Sequence, residues 1–400
     1  MPQADLGRER VTFPCFDGFR AIAAATIVVF HVAFVSGIGL RHPVAGLFLA
    51  RLDVGVPLFF VISGFLLYRP FVAAHLSGRA HPGARSFLAR RLLRIVPAYW
   101  AVLAVVAFVL GLKHLGGIGG AAIYFGFLQI YDNAHVGGGI SQAWSLCTEM
   151  TFYLALPAYA AGIRTIARQR ARPVIVEWSG VAAVYAGGLV VRAAIAFGDL
   201  RAPFDCRLDW LPATMDLFAL GMALAVASAG APAATGRVRA ALARPGLCWT
   251  GATAAYVAVS IGVFGTADLG RAFTPLQVMG RQVLYGVVGL LVVAPGVFGP
   301  QDRGTIRRLL RARPIALAGV VSYGIYLVHN AVIDEYLLRA HRRVLHASVP
   351  PLLAVTVAGT AVAAIVVHQL VERPALQLKR RFRDVPLVVP IREPGPVVPR

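Results

Sequence analysis

Ten stretches of this 400-residue chain are long enough and apolar enough to cross a hydrocarbon layer. They fall at 19–39, 53–68, 95–112, 142–163, 174–197, 211–229, 247–264, 281–299, 315–337 and 350–371. Each exceeds or approaches the ~30 Å of a bilayer core at 1.5 Å of helical rise per residue. Backbone amides in lipid must be satisfied within their own segment, which leaves helices as the way to cross. The sequence therefore predicts an all-α fold, a polytopic transmembrane bundle of about ten spans. Hydrophobic residues make up 58% of the chain and charged residues only 14%, with a mean hydropathy of +0.69. That balance excludes soluble enzymes, disordered chains and disulfide scaffolds, since an ordinary soluble domain is about 25% charged. The four cysteines have neither metal-ligand nor redox spacing, so no metal is expected.

The net charge of +21 would suit nucleic acid if the basic residues gathered on one face. Here they sit in short loops between apolar stretches, so no nucleic-acid partner is expected and the lipid bilayer is. One segment, 118–131, is short and glycine-rich, and its topology can be decided by charge. If it does not cross and the N-terminus is cytoplasmic, the inner segments hold 28 basic residues and the outer loops 10. If it does cross, every later loop changes sides and the asymmetry reverses. The positive-inside rule selects ten spans with both termini cytoplasmic in a cell membrane, and makes 118–131 a re-entrant or interfacial piece on the outer side. The segment 1–18 reads as a cytoplasmic N-terminal stretch without a cleavable signal, 19–377 as the membrane domain, and 378–400 as a cytoplasmic, disordered tail.

A charge at mid-bilayer costs a few kcal/mol on insertion scales, so ionisable residues inside spans are functional candidates. They are His31, Glu149, Arg192 and His329, with Asp216 and Glu177 nearer span ends. Helical rise puts His31 ~16 Å, Glu149 ~20 Å and His329 ~22 Å from the inner face. Each could be a plain interhelical hydrogen-bonding group; their common depth points instead to a shared polar chamber. A neutral imidazole can take a proton from a hydroxyl near pH 7, and a carboxylate can fix its tautomer. His31 is thus the candidate base and Glu149 its orienter or an acceptor-binding group. At the inner face Arg69, Arg90, Arg91 and Arg94 belong to a loop with six arginines and no acid. Topology alone accounts for such a loop, but the Arg90-Arg91-Leu92-Leu93-Arg94 cluster also suits a phosphorylated donor, because guanidinium grips phosphate in bidentate fashion. Asp17, before an apolar run, reads as a helix N-cap. Trp144 and Tyr153 suit either stacking on a sugar ring or anchoring at the interface.

These residues carry a resemblance. Phe16-Asp17-Gly18-Phe19-Arg20-Ala21 followed by His31 resembles the opening of the acyltransferase family 3 membrane proteins, with ten residues between the basic residue and the histidine. Val54-Gly55-Val56-Pro57-Leu58-Phe59-Phe60-Val61-Ile62-Ser63-Gly64-Phe65-Leu66 is similar to the family's second-span block. Arg90 to Trp100, Trp144-Ser145-Leu146 with Glu149, Phe152 and Tyr153, Ser322 to His329, and Val371-Glu372-Arg373-Pro374 match later blocks in order. The resemblance implies an integral-membrane enzyme that moves an acyl group, usually acetyl from acetyl-CoA, onto a hydroxyl of a carbohydrate or similar acceptor. It implies Arg20 and His31 as the essential pair and Glu149 as a site residue. It places Arg69, Arg90, Arg91 and Arg94 beside the coenzyme; Trp144, Tyr153 and His329, from their own chemistry and depth, are the acceptor-chamber candidates. Acyl-CoA would be a co-substrate, with no cofactor bound permanently. A proton-coupled transporter or flippase of a polar or lipid-linked substrate is the alternative, since intramembrane His and Glu also serve proton relays.

Overall fold

The computed structural model describes residues 13–79, 82–200, 205–230, 236–264 and 273–382. Among these residues the secondary structure is helical throughout. The main elements are α1 (Phe16–Ser36), α2 (Gly55–Leu76), α3 (Ala84–Ala104), α4 (Gly117–Phe125), α5 (Trp144–Arg168), α6 (Pro173–Gly198) and α7 (Leu211–Ala229). They are followed by α8 (Gly236–Leu242), α9 (Pro245–Ser260), α10 (Pro275–Val297), α11 (Thr305–Leu310), α12 (Arg313–Val320), α13 (Ser322–Arg339), α14 (Val349–Val367) and α15 (Arg373–Leu378). Proline opens the first turn of α6, α7, α9, α10, α12 and α14, where its missing N–H costs no hydrogen bond. At α10 a reciprocal cap joins the Thr274 hydroxyl to the Gln277 amide and the Gln277 side chain to the Thr274 amide.

Each of the ten apolar stretches becomes a helix. By length and composition, seven helical segments can cross a membrane, or eight when α12 and α13, bent by 72°, count as one broken span. The two remaining stretches fall short for different reasons. α5 carries polar and charged residues along its length, and α9 has only 16 residues. Segment 118–131 contains the nine-residue α4, ~14 Å long and too short to cross alone. Its backbone is satisfied from outside: Tyr99 Oη and Trp100 Nε1 of α3 donate to the carbonyls of Tyr124 and Phe125, each at 2.9 Å. Trp210 Nε1 donates to Ile130 O at 2.6 Å. A non-spanning piece at membrane depth requires such partners.

Two boundaries differ from the sequence reading. Asp17 is not the N-cap of α1; that position is Cys15, and Asp17 sits in the first turn, where it accepts from Arg20. The tail expected from 378 begins as ordered helix, with α15 followed by a turn over Lys379–Phe382. Residues 383–400 and 1–12 lie outside the described residues.

α2 and α7 cross at the centre, and glycine sets how closely. A methyl group on Gly64 would sit 2.1 Å from the carbonyl oxygen of Phe218, and one on Gly221 would sit 2.1 Å from that of Val61. Both obstacles are backbone, which cannot swing aside. Close approach of small residues is the usual way helices gain packing in lipid, where no hydrophobic effect drives them together. α6 and α10 flank this pair, while α1 packs on α2, α12, α13 and α14. Gly64→Ala is expected to lower the melting midpoint in detergent, by the equivalent of about 1–3 kcal/mol of overpacking strain. An unchanged midpoint would show that the α2–α7 crossing is looser than described.

Candidate active site

α5 presents Ser145, Glu149 and Tyr153 at successive turns of one face, and α2 brings Ser63 opposite. Glu149 Oε1 accepts from Ser63 Oγ at 2.5 Å and from Tyr153 Oη at 2.7 Å. Its second oxygen has no partner among the described residues. Arg20 of α1, Arg91 and Arg94 of α3, and Ser322, Tyr323 and Tyr326 of α13 complete the wall of a cavity of ≈80 Å³. Among the described residues, Glu149 is the only acid in that wall, against three guanidiniums.

Other contacts fix the wall. Tyr323 Oη donates to Ile95 O at 2.7 Å, tying α13 to α3. Gln142 Nε2 donates to the carbonyls of Tyr326 and Leu327 at 3.0 and 2.9 Å. Tyr326 Oη lies 2.7 Å from Ser145 Oγ and 2.6 Å from Gln142 O. Arg20 is held by Asp17 at 2.9 Å. Arg91 Nε is buried without a hydrogen-bond partner, and its guanidinium lies over the Phe87 ring at 5.8 Å.

His31 lies eleven residues beyond Arg20 on α1, ~16 Å along the helix. Its partner is His329, not Glu149. His329 Nε2 is 3.1 Å from His31 Nδ1. His31 Nδ1 is also 3.0 Å from Ile27 O, and His329 Nδ1 is 3.1 Å from Ile325 O. A carbonyl can only accept, so the hydrogen-bond pattern assigns the tautomers. Each ring carries its proton on Nδ1, His329 Nε2 accepts from His31, and the lone pair of His31 sits on Nε2. His329 is fully buried, whereas His31 is partly accessible. The pair adjoins the cavity through Tyr326, whose ring centroid is 6.0 Å from that of His329.

The structure thus gathers Arg20, Arg91, Arg94, Glu149 and Tyr153 around one cavity, with the His31–His329 pair beside it. It places three other candidates elsewhere. Arg69 bonds Ser228 of α7 at 3.1 Å and lines a different cavity. Arg90 bonds Ser86 one turn back on α3. Trp144 packs edge-on against Phe60, 6.3 Å between centroids. The other intramembrane groups have structural partners: Asp216 accepts from Gln282 at 2.8 Å, Arg192 donates to the carbonyls of Leu208 and Ala213, and Glu177 holds Tyr68 and His75. Sequence reasoning missed Ser63 and Tyr326 as site residues, although a serine inside the Phe59–Leu66 apolar run was a visible signal. It also missed Lys379, whose ammonium is half-buried. Burial, and then repulsion from Arg94, Arg91 and Arg90, pushes its pKa down to about 8.

A family description, the acyltransferase domain, matches residues 13–368. The chain is 27% identical to BcsY of Komagataeibacter xylinus, named among membrane-bound transacylases, over 91% of this chain and 83% of that protein. It is 27% identical to the exopolysaccharide production protein ExoZ of Rhizobium meliloti, over 82% of this chain and 91% of that one. It is 26% identical to the peptidoglycan O-acetyltransferase OatA of Listeria monocytogenes over 36% of this chain, a match spanning only about a quarter (24%) of that longer relative. No solved structure matches the chain.

Lys379 offers a direct test of the arginine cluster's field. An amine acylates only when neutral, so modification of Lys379 by an amine-reactive ester should be half-maximal at about pH 8. Arg94→Gln should move that midpoint upward. Lys113, paired with Asp334 at 3.0 Å, is the internal comparison. A midpoint near the ordinary lysine value of about 10.4 would mean that Lys379 is solvated and clear of the arginines.

Proposed function

Because this chain belongs to the acyltransferase domain family, we propose that it transfers an acyl group, in the simplest case acetyl from acetyl-CoA, to a hydroxyl of a carbohydrate or glycoconjugate, with His31 as general base. The observation that carries this reading is the histidine pair: it leaves one imidazole lone pair, on His31 Nε2, without a protein partner among the described residues, and it adjoins, through Tyr326, a cavity lined by three arginines.

Arg20, Arg91 and Arg94 suit the phosphates of a coenzyme A donor arriving from the arginine-rich end, which the positive-inside rule assigns to the cytoplasm. Guanidinium binds phosphate through paired N–H donors, and the burial of Arg91 Nε without an acceptor leaves capacity for such a ligand. The thioester arm then extends along α1 toward His31. At that level His31 Nε2 takes the proton of the acceptor hydroxyl as its oxygen attacks the thioester carbonyl. The tetrahedral adduct collapses, the carbon–sulfur bond breaks, and the imidazolium returns its proton to the thiolate. Throughout, His31 Nδ1–H keeps its donation to Ile27 O and His329 Nε2, which holds the ring still. His329 is a positioning residue in this scheme. Glu149, fixed by Ser63 and Tyr153 and with one oxygen open, suits a sugar hydroxyl or the donor's amide groups. The names of the relatives, which refer to exopolysaccharide production and peptidoglycan O-acetylation, support a carbohydrate acceptor.

The test is acyl transfer from labelled acetyl-CoA to cell-envelope polysaccharide by purified, reconstituted protein. General-base catalysis contributes typically about 10²–10⁴-fold, so His31→Ala should lose at least that much while donor affinity stays within about two-fold. His329→Phe should lower kcat with little change in KM. Arg91→Gln should instead weaken donor binding more than it slows chemistry. Full activity in His31→Ala would refute the assignment.

A further inference from the structure

A second cavity, of ≈480 Å³, opens at the arginine-rich end on the side of α2 where α7, α8 and α10 end. Of the helices around the acyl-transfer cavity, only α2 contributes to it. Among the described residues its charged side chains are Arg69 of α2 and Arg239 of α8, and no Asp or Glu lines it.

Both guanidiniums are held in place with most of their donors unspent among the described residues. Arg69 gives its Nε to Ser228 Oγ at 3.1 Å and lies over the Phe13 ring at 5.0 Å, and its two Nη groups have no partner among the described residues. Arg239 lies over the Phe298 ring at 5.7 Å, and its one hydrogen bond, to Gly230 O, is long at 3.5 Å. A third cation stands behind the wall. Arg307 is 5% exposed and donates to the carbonyls of Pro295, Ala243 and Phe298 at 2.8–3.0 Å, with no carboxylate partner. Two of those carbonyls belong to the C-terminal turn of α10 and its cap. Arg307 therefore cancels the negative end of the helix dipole where it would otherwise face the cavity. Gly299, at φ 81°, makes this possible, since a Cβ there would lie 2.8 Å from Arg307 Nη2.

Topology accounts for the number of arginines at this end but not for this arrangement. A charge that only orients the chain can stay solvated and mobile. Here two guanidiniums are pinned on aromatic rings around a concave space, and a third is buried with neutral partners. We propose that this cavity binds the phosphate group of an anionic ligand through Arg69 and Arg239, apart from the acyl-transfer site. The geometry suits guanidinium–phosphate recognition, which is bidentate and directional. Val238 of α8 and Leu247 of α9, 62% and 58% exposed, are apolar surface suited to the acyl chains of a phospholipid whose headgroup phosphate sits in the cavity; a free phosphate offers the same anionic group.

The experiment uses the full chain, with binding rather than activity as the readout, so it stands or falls separately from the acyl-transfer reading. Wild type and Arg239→Gln are taken from nanodiscs of mixed phosphatidylglycerol and phosphatidylcholine, and retained lipid is counted by native mass spectrometry. In a parallel arm, melting midpoints are measured with inorganic phosphate against chloride at equal ionic strength. Wild type should retain one phosphatidylglycerol in preference to phosphatidylcholine, with occupancy falling about ten-fold in Arg239→Gln, as expected for one charge-assisted pair. If the lipid is not retained but phosphate raises the midpoint of wild type and not of the variant, the ligand is a free phosphate and the site stands. Ser228→Ala, which releases Arg69 without touching a charge, should weaken either response and guards against a folding defect in the first variant. If neither anion distinguishes wild type from both variants, the proposal is overturned.

Discussion

A polar group drawn into this bundle gains most by finding a partner inside it. In water an unpaired histidine or carboxylate costs little. Inside a membrane it is expensive, because the surrounding hydrocarbon offers no hydrogen bonds. The pairs that result are mostly long-range: Glu149 with Ser63, Glu177 with Tyr68, Asp216 with Gln282, His31 with His329. Each requires two helices to approach closely at a fixed rotation. The glycine crossing of α2 and α7 supplies that closeness for α2, which contributes Ser63 and Tyr68 to two of these pairs on successive turns.

How completely each group is satisfied separates structure from chemistry. Glu177 is fully buried and spends both carboxylate oxygens, one on Tyr68 and one on His75. It has nothing left to offer a ligand, and removing one partner would strand a buried charge. Glu149 takes both of its donors on a single oxygen. The same contrast divides the histidines. His329 uses both ring nitrogens, while His31 concentrates its contacts on Nδ1. Glu149 and His31 thus keep hydrogen-bonding capacity that Glu177 and His329 have spent on the fold.

Much of this was legible in the sequence, and its failures share one cause. Apolar run length located helix in each of the ten stretches, one of them broken into α12 and α13 and only seven or eight able to span, and the Arg20–His31 spacing placed a charge and a base about three turns apart on one helix. The depth argument brought His31, Glu149 and His329 to a common level. Depth, however, is one coordinate. Which of two groups at equal depth His31 meets depends on helix rotation and neighbour order, and those come from packing. α1 packs against α13 and has no comparable contact with α5, so the partner is His329. Arg69 illustrates the same limit. It shares a loop with Arg90, Arg91 and Arg94, but the turn of α2 carries its side chain to Ser228 on α7, away from theirs. The bend between α12 and α13 was also hidden, because hydropathy is blind to direction.

The arginine cluster poses an energetic problem that topology does not solve. Two like charges ~4 Å apart repel by about 4 kcal/mol at an effective dielectric of 20. Among the described residues, Arg20, Arg91 and Arg94 line one small cavity with a single carboxylate, and burial, then Arg94, Arg91 and Arg90, depress the pKa of Lys379. Orientation in the membrane would be served as well by the same cations spread over a solvated rim, where salt screens them within about 10 Å. Holding them together stores unfavourable energy that a bound polyanion would release. On the proposed reading that energy would become affinity for a phosphorylated donor, weakening as salt rises and as Lys379 loses its proton above about pH 8. A purely topological cluster would show neither dependence.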